Sequence, residues 1–92
     1  MTALSPEEVA SRLAALPGWR IEDGELRRTF RFEDFRAALA FVNRVGDEAE
    51  KAGHHPDIDI RYNRVCLGLV THDAGGLTVK DFELAAAAER LA

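Results

Sequence analysis

Apolar and polar positions alternate with period two near the middle of the chain and recur with a helical period on either side. Ile58, Ile60 and Tyr62 alternate with Asp57, Asp59 and Arg61, and Val65, Leu67 and Leu69 alternate with Cys66, Gly68 and Val70. This is the pattern of two half-buried strands. With Asn63-Arg64 as a two-residue turn, helped by the tolerance of asparagine for left-handed backbone, the expected pairs on an apolar face are Tyr62/Val65, Ile60/Leu67 and Ile58/Leu69. Arg61/Cys66, Asp59/Gly68 and Asp57/Val70 fall on the other face. Carried outward, this register sets His72 opposite His55, with His54 beside them. A longer loop that moved the register by one residue would reverse the faces.

Helical patterns flank the hairpin. Ser5-Pro6-Glu7-Glu8 combines a capping serine, proline at the first helical position and glutamate three residues after the cap, so a helix should start there. Val9, Leu13 and Leu16 form its stripe, and Pro17-Gly18 ends it. Trp19 to Glu22 and Leu26 to Phe32 read as strands joined by a turn around Asp23-Gly24. From Asp34, the residues Phe35, Leu39, Val42, Val45 or Gly46, Ala49 and Ala52 follow a three-four spacing, widened by Ala38 and Phe41. Gly53 is placed as a left-handed terminator. After the hairpin, Asp73-Ala74-Gly75-Gly76 is a loop, and Thr78-Val79-Lys80-Asp81 resembles a capping box that opens an alanine-rich last helix. The order of elements predicts an α+β fold: a four-stranded, mainly antiparallel sheet with three helices packed on one face.

Composition narrows the function classes. A chain of 92 residues, 47% of them hydrophobic, is expected to form a single domain spanning residues 1–92. Its net charge of −4 supplies no basic footprint, so neither direct nucleic-acid binding nor attraction to an anionic membrane is expected. Cys66 is the only cysteine, which rules out an internal disulfide and suits a reducing, cytoplasmic setting. No apolar run approaches a membrane span, and the segment Met1 to Pro6 lacks the basic and apolar regions of a signal peptide.

All three histidines, His54, His55 and His72, lie between Glu50 and Asp81. Adjacent imidazoles on a turn are difficult to explain as packing, because a buried histidine needs partners for both ring nitrogens. Histidine is also the side chain best suited to proton transfer near neutral pH. A metal site is disfavoured by the spacing, since HxH, HxxxH and CxxC pairs are all absent. Cys66 lies mid-strand and is a poor candidate nucleophile. Metal-free acid/base chemistry on a small molecule is the leading reading. Two nearby residues keep two readings each, Glu50 as a solvated surface carboxylate or a histidine partner and Asp81 as a helix cap or site support; Trp19, taken by itself, reads as a core or interface anchor.

Glu50, then His54-His55-Pro56 after three residues, Tyr62 after five, His72 after nine and Asp81 after eight resemble the signature of the pterin-4a-carbinolamine dehydratases. The similarity extends to Gly18-Trp19 and to Thr71-His72-Asp73-Ala74-Gly75-Gly76-Leu77, and so to almost the whole chain. It departs from animal members at Asp57-Ile58-Asp59, where they often carry an aromatic residue. The resemblance implies dehydration of 4a-hydroxytetrahydropterin to quinonoid dihydropterin in tetrahydrobiopterin recycling, with no bound cofactor and no metal. It implies His54, His55 and His72 as catalytic residues and Glu50, Asp81, Trp19 and Pro56 as supporting or substrate-binding ones. It also implies a homodimer or homotetramer. The competing expectation is a non-catalytic dimerisation or co-regulator scaffold, because animal relatives also bind a homeodomain transcription factor.

Overall fold

The computed structural model describes residues 2–92; Met1, the first residue of the segment read above for a signal peptide, lies outside them. Helix α1 (Pro6–Leu13) is followed by strands β1 (Arg20–Glu22) and β2 (Glu25–Arg31), helix α2 (Phe35–Ala52), strands β3 (Asp57–Arg61) and β4 (Arg64–Leu69), a 3-10 turn (His72–Ala74) and helix α3 (Val79–Leu91). The strands form one antiparallel sheet in the order β1-β2-β4-β3. This is the α+β architecture expected from the hydrophobic pattern.

Local chemistry explains the boundaries. Ser5 and Glu8 form the reciprocal capping box, with the Glu8 N–H donating to Ser5 Oγ (3.2 Å) and the Ser5 N–H donating to Glu8 Oε1 (3.0 Å). The β1–β2 turn places both Asp23 (φ 53°) and Gly24 (φ 76°) in the left-handed region, as tight hairpins require. Asp34 caps α2 by accepting the Ala37 N–H at 2.8 Å. Gly53, at φ 62°, ends α2, and a β-carbon there would meet nothing within 4 Å. Its requirement is one of backbone conformation, about 1–2 kcal/mol for other residues.

The inner face of the sheet supplies Leu26, Phe30, Val65, Leu67 and Leu69 to the core, facing Phe41, Val45 and Ala49 of α2 and Phe82, Leu84 and Ala85 of α3. Phe30 and Phe32 flank Phe41, with ring centroids 4.8 and 4.9 Å away. The buried positions of α2 are Ala38, Phe41, Val45 and Ala49. Phe35 and Leu39, expected on the stripe, are 45% and 36% exposed. The apolar arc of this helix is wider than the strip the sheet covers, so one flank of it faces outward.

The β3–β4 register differs from the one expected. Ile60 faces Val65, Ile58 faces Leu67, and Arg61 faces Arg64, so the turn is Tyr62-Asn63 rather than Asn63-Arg64. Tyr62 takes the left-handed conformation (φ 51°). Asn63 fixes the turn to the end of β2: its carbonyl accepts the Phe32 N–H at 2.9 Å, and its Nδ2–H donates to Phe32 O at 2.9 Å. The displacement is two residues, so the assignment of faces survives while every pair changes. Tyr62 becomes a 66% exposed turn residue, and His72 is no longer the cross-strand partner of His55.

Candidate active site

The end of α2 aims the histidine pair. Beyond Gly53 the chain reverses, and the His54 N–H donates back to Ala49 O at 3.1 Å, which closes the helix in the way a left-handed terminator allows. The reversal brings His55 Nε2 against the Glu50 carboxylate in the last helical turn. Both side chains are exposed, 62% and 77%, so the pair adds at most about 1 kcal/mol to stability. It does offset the unfavourable position of Glu50 at the helix C-terminus. Pro56 follows, half-buried, and its fixed φ leads the chain into β3.

His54 has a very different environment. Its side chain is only 11% exposed, and Nε2 lies 2.5 Å from Oδ1 of Asp81, which is fully buried. The second Asp81 oxygen, Oδ2, accepts the Thr71 hydroxyl at 2.9 Å and the Thr78 N–H at 2.9 Å. With the Thr71 proton committed to Asp81, the 2.8 Å contact between the two threonine hydroxyls is Thr78 donating to Thr71. Asp81 is therefore both the cap of α3 and the support of His54. As an acceptor toward His54, the Asp81 carboxylate places the ring proton on Nε2, and Nδ1 has no hydrogen-bond partner among the described residues. That nitrogen accepts a proton in the neutral ring and donates one in the charged ring, which suits acid/base transfer from a fixed orientation.

His72 opens the 3-10 turn, is exposed, and directly follows Thr71, the residue whose hydroxyl meets Asp81. The turn is closed by Gly75 in the left-handed region (φ 72°) and by the Thr71–Gly76 bridge. His54, Asp81 and the Thr71-His72 backbone thus meet at the N-terminal end of α3.

Trp19 is not brought to this place. It is 6% exposed, packs edge-on against Phe30 with centroids 5.9 Å apart, and donates its indole N–H to Glu89 at 2.7 Å. Glu89 lies eight residues beyond Asp81 on α3, about 12 Å along the helix. The same carboxylate pairs with Arg28, whose guanidinium lies 4.7 Å from the Phe30 ring centroid. Within one chain Trp19 is a core anchor.

Two participants were not singled out in the sequence. Thr71 carries no signal beyond its place in the stretch Thr71 to Leu77, and the partner of Trp19, Glu89, is 70 residues distant along the chain with no local signal to identify it. Among the described residues, no group of three His, Cys, Asp or Glu side chains is placed to hold a metal ion, and no helix is long and apolar enough to cross a membrane.

Comparisons with known proteins give the family of the chain. The family model described as pterin 4 alpha carbinolamine dehydratase matches residues 2–91. A relative from Acidobacterium capsulatum, named provisionally as a pterin-4-alpha-carbinolamine dehydratase, is 59% identical over 91 residues, covering 99% of each chain. One from Chloroflexus aurantiacus, with the same provisional name, is 60% identical and covers 99% of this chain and 98% of its own. Among solved structures, a transcriptional coactivator/pterin dehydratase from Brucella melitensis superposes with a TM-score of 0.95 at 35% identity over 99% of both chains. A pterin dehydratase-like protein described as a RuBisCO assembly factor in the alpha-carboxysome has a TM-score of 0.70 at 23% identity, covering 83% of this chain and 90% of its own; that likeness concerns the fold alone. A match over nearly the whole length, with relatives at this identity, means that the chain belongs to the pterin 4 alpha carbinolamine dehydratase family.

Proposed function

We propose that this chain, acting as one domain over residues 1–92, dehydrates 4a-hydroxytetrahydropterin to quinonoid dihydropterin, in tetrahydrobiopterin recycling in the cytoplasm, by metal-free histidine acid/base catalysis. The observation that carries this reading is His54, held at Nε2 by the buried Asp81 and with no hydrogen bond to Nδ1 among the described residues. Dehydration needs one proton delivered to the leaving 4a-hydroxyl as the N5 lone pair expels it as water. A second group takes the N5 proton, leaving a C4a–N5 double bond. Two imidazoles can perform both transfers. His54 and His72 fill these roles in an order left open, and His55, paired with Glu50 on the exposed rim, holds the pterin.

The test is to generate the carbinolamine enzymatically with an aromatic amino-acid hydroxylase and follow its loss by absorbance with and without the protein. A rate above the spontaneous one, unchanged by a chelator, is the expected result. A rate equal to the spontaneous one would favour the scaffold reading, for which the coactivator part of the Brucella protein's description is the motive.

His55→Ala should chiefly raise KM while leaving kcat within a few-fold, the signature of lost uniform binding. Its stability should stay within about 0.5 kcal/mol, as for other exposed positions. A large fall in kcat with KM unchanged would instead make His55 one of the proton-transfer pair.

The proposal includes a homodimer or homotetramer. Strand β3 lies at the sheet edge and its Ile58 is 37% exposed; Phe35 and Leu39 form an uncovered patch on α2. Light scattering at micromolar concentration should give a dimer or a tetramer, and a monomer would contradict this part of the account.

A further inference from the structure

Three arginines stand abreast across one end of the sheet's outer face. Arg31 of β2 is the cross-strand partner of Arg64 of β4, and Arg64 is in turn the partner of Arg61 of β3. Opposed residues share a face, with Cα atoms about 4.5–5.5 Å apart. Their neighbours Phe30 and Val65 are buried on the opposite, helix-covered face, so all three guanidinium groups leave from the outer side. The Tyr62-Asn63 turn and the two bonds between Asn63 and Phe32 keep Arg61 and Arg64 side by side.

Like charges placed directly opposite weaken a sheet, and here little within the chain compensates. Arg61 Nε donates to Asp59 at 3.0 Å. Among the described residues, neither Arg31 nor Arg64 forms an ion pair. The arginines at the other end of the same face contrast with them: Arg20 is paired with Glu22, and Arg27 with Glu22 and Glu25. A chain with a net charge of −4 therefore keeps uncompensated arginines together at one place. Beside them is an open depression of about 190 Å³ lined by Thr29, Asp59, Arg61, Arg64 and Cys66.

We propose that Arg31, Arg64 and Arg61 form a binding site for a diphosphate group, either free or carried by a nucleotide. The row spans about 10 Å between its outer Cα atoms, more than one tetrahedral oxyanion needs and suited to two adjacent ones. Guanidinium groups match phosphoryl oxygens bidentately, and the Thr29 hydroxyl adds a donor at the floor. The site is separate from the histidines: Arg61 lies four residues along β3 from Asp57, about 13 Å, on the face away from the helices. It does not depend on the dehydratase reading.

The experiment titrates the protein with sodium diphosphate, sodium orthophosphate and adenosine diphosphate by calorimetry at low ionic strength. It also follows the melting temperature. Diphosphate should bind at least about tenfold more tightly than orthophosphate, and Arg31→Gln or Arg64→Gln should each weaken it by about fivefold or more. Without ligand, Arg64→Gln should melt higher than the wild type, because the repulsion is relieved, and diphosphate should raise the melting temperature of the wild type but not of the double variant. Equal binding of adenosine diphosphate supports a site that reads the diphosphate alone, and tighter binding supports a nucleotide source. In the wild type alone, raising sodium chloride from about 0.05 to about 0.5 M should weaken binding about tenfold or more. Failure of the wild type to bind diphosphate at millimolar concentration, salt-independent binding, or undiminished binding by Arg31→Gln/Arg64→Gln would each overturn the proposal.

Discussion

Asp81→Asn is expected to fold and to lose on the order of 10²- to 10⁴-fold in dehydration rate. The reason lies in which donors the carboxylate serves. The Thr71 hydroxyl and the Thr78 N–H both donate to Oδ2, so the amide oxygen of an asparagine stays on their side and its NH2 group turns toward His54. Two donors would then face each other, unless the His54 proton moves from Nε2 to Nδ1. The nitrogen offered to substrate becomes a donor in the neutral ring, the wrong tautomer for a base; the same change cripples the serine protease triad. Asp81→Ala should act on stability instead. It removes a fully buried carboxylate and strands its partners, which costs about 3–5 kcal/mol, a large share of the roughly 5–14 kcal/mol available to a chain of this length. Urea denaturation of the alanine variant and kcat of the asparagine variant separate these effects. An asparagine variant at the wild-type rate would remove Asp81 from the mechanism and leave it only a cap.

The second large effect is expected when the two histidines proposed to transfer protons are removed. His54→Ala and His72→Ala should each lower the rate by on the order of 10² to 10⁴ where no neighbour or water substitutes, yet keep measurable turnover because the carbinolamine also dehydrates unaided. Their stabilities should differ. Removing His54 leaves Asp81 Oδ1 without its partner in a buried setting, at a cost of about 1–3 kcal/mol. His72 is exposed and makes no side-chain hydrogen bond among the described residues, so its loss should change stability by no more than about 0.5 kcal/mol. The double variant should fall close to the spontaneous rate, and less than additively, if both groups serve one transition state as proposed. Purely additive losses would indicate two independent roles.

What could be read from the sequence was mostly what depends on near neighbours. The Ser5 cap, the Gly53 terminator and the Asp23-Gly24 turn are local, and each formed as its residues dictate. The division of the sheet into a core face and a polar face was also legible, because side-chain direction follows strand period alone. The hairpin register was not. A shift of two residues leaves the alternation intact, and the choice was made by Asn63 bonding to Phe32, 31 positions away.

The same limit applies to the site. The turn after α2 and the Glu50–His55 pair follow from six consecutive positions. The pairing of His54 with Asp81, by contrast, rests on the approach of α3 to the end of α2, which local sequence leaves open. On spacing alone Asp81 was as well explained as a cap, and it is one. Its second role depends on Thr71, whose hydroxyl reaches it only because the Thr71–Gly76 bridge folds the loop onto α3. Phe35 and Leu39 match the apolar stripe equally well whether the sheet or another chain covers them. Trp19 found its partner on the last helix.

The measurement that tests the central claim most directly is the pH dependence of enzymatic dehydration, taken as the excess over the spontaneous rate, for the wild type beside the folded His54→Ala/His72→Ala double variant. The account predicts a wild-type excess rate that changes across about pH 5–8, the range in which imidazole changes charge, and no excess in the double variant at any pH. Full activity in the folded double variant, or a wild-type profile flat across that range, would contradict it.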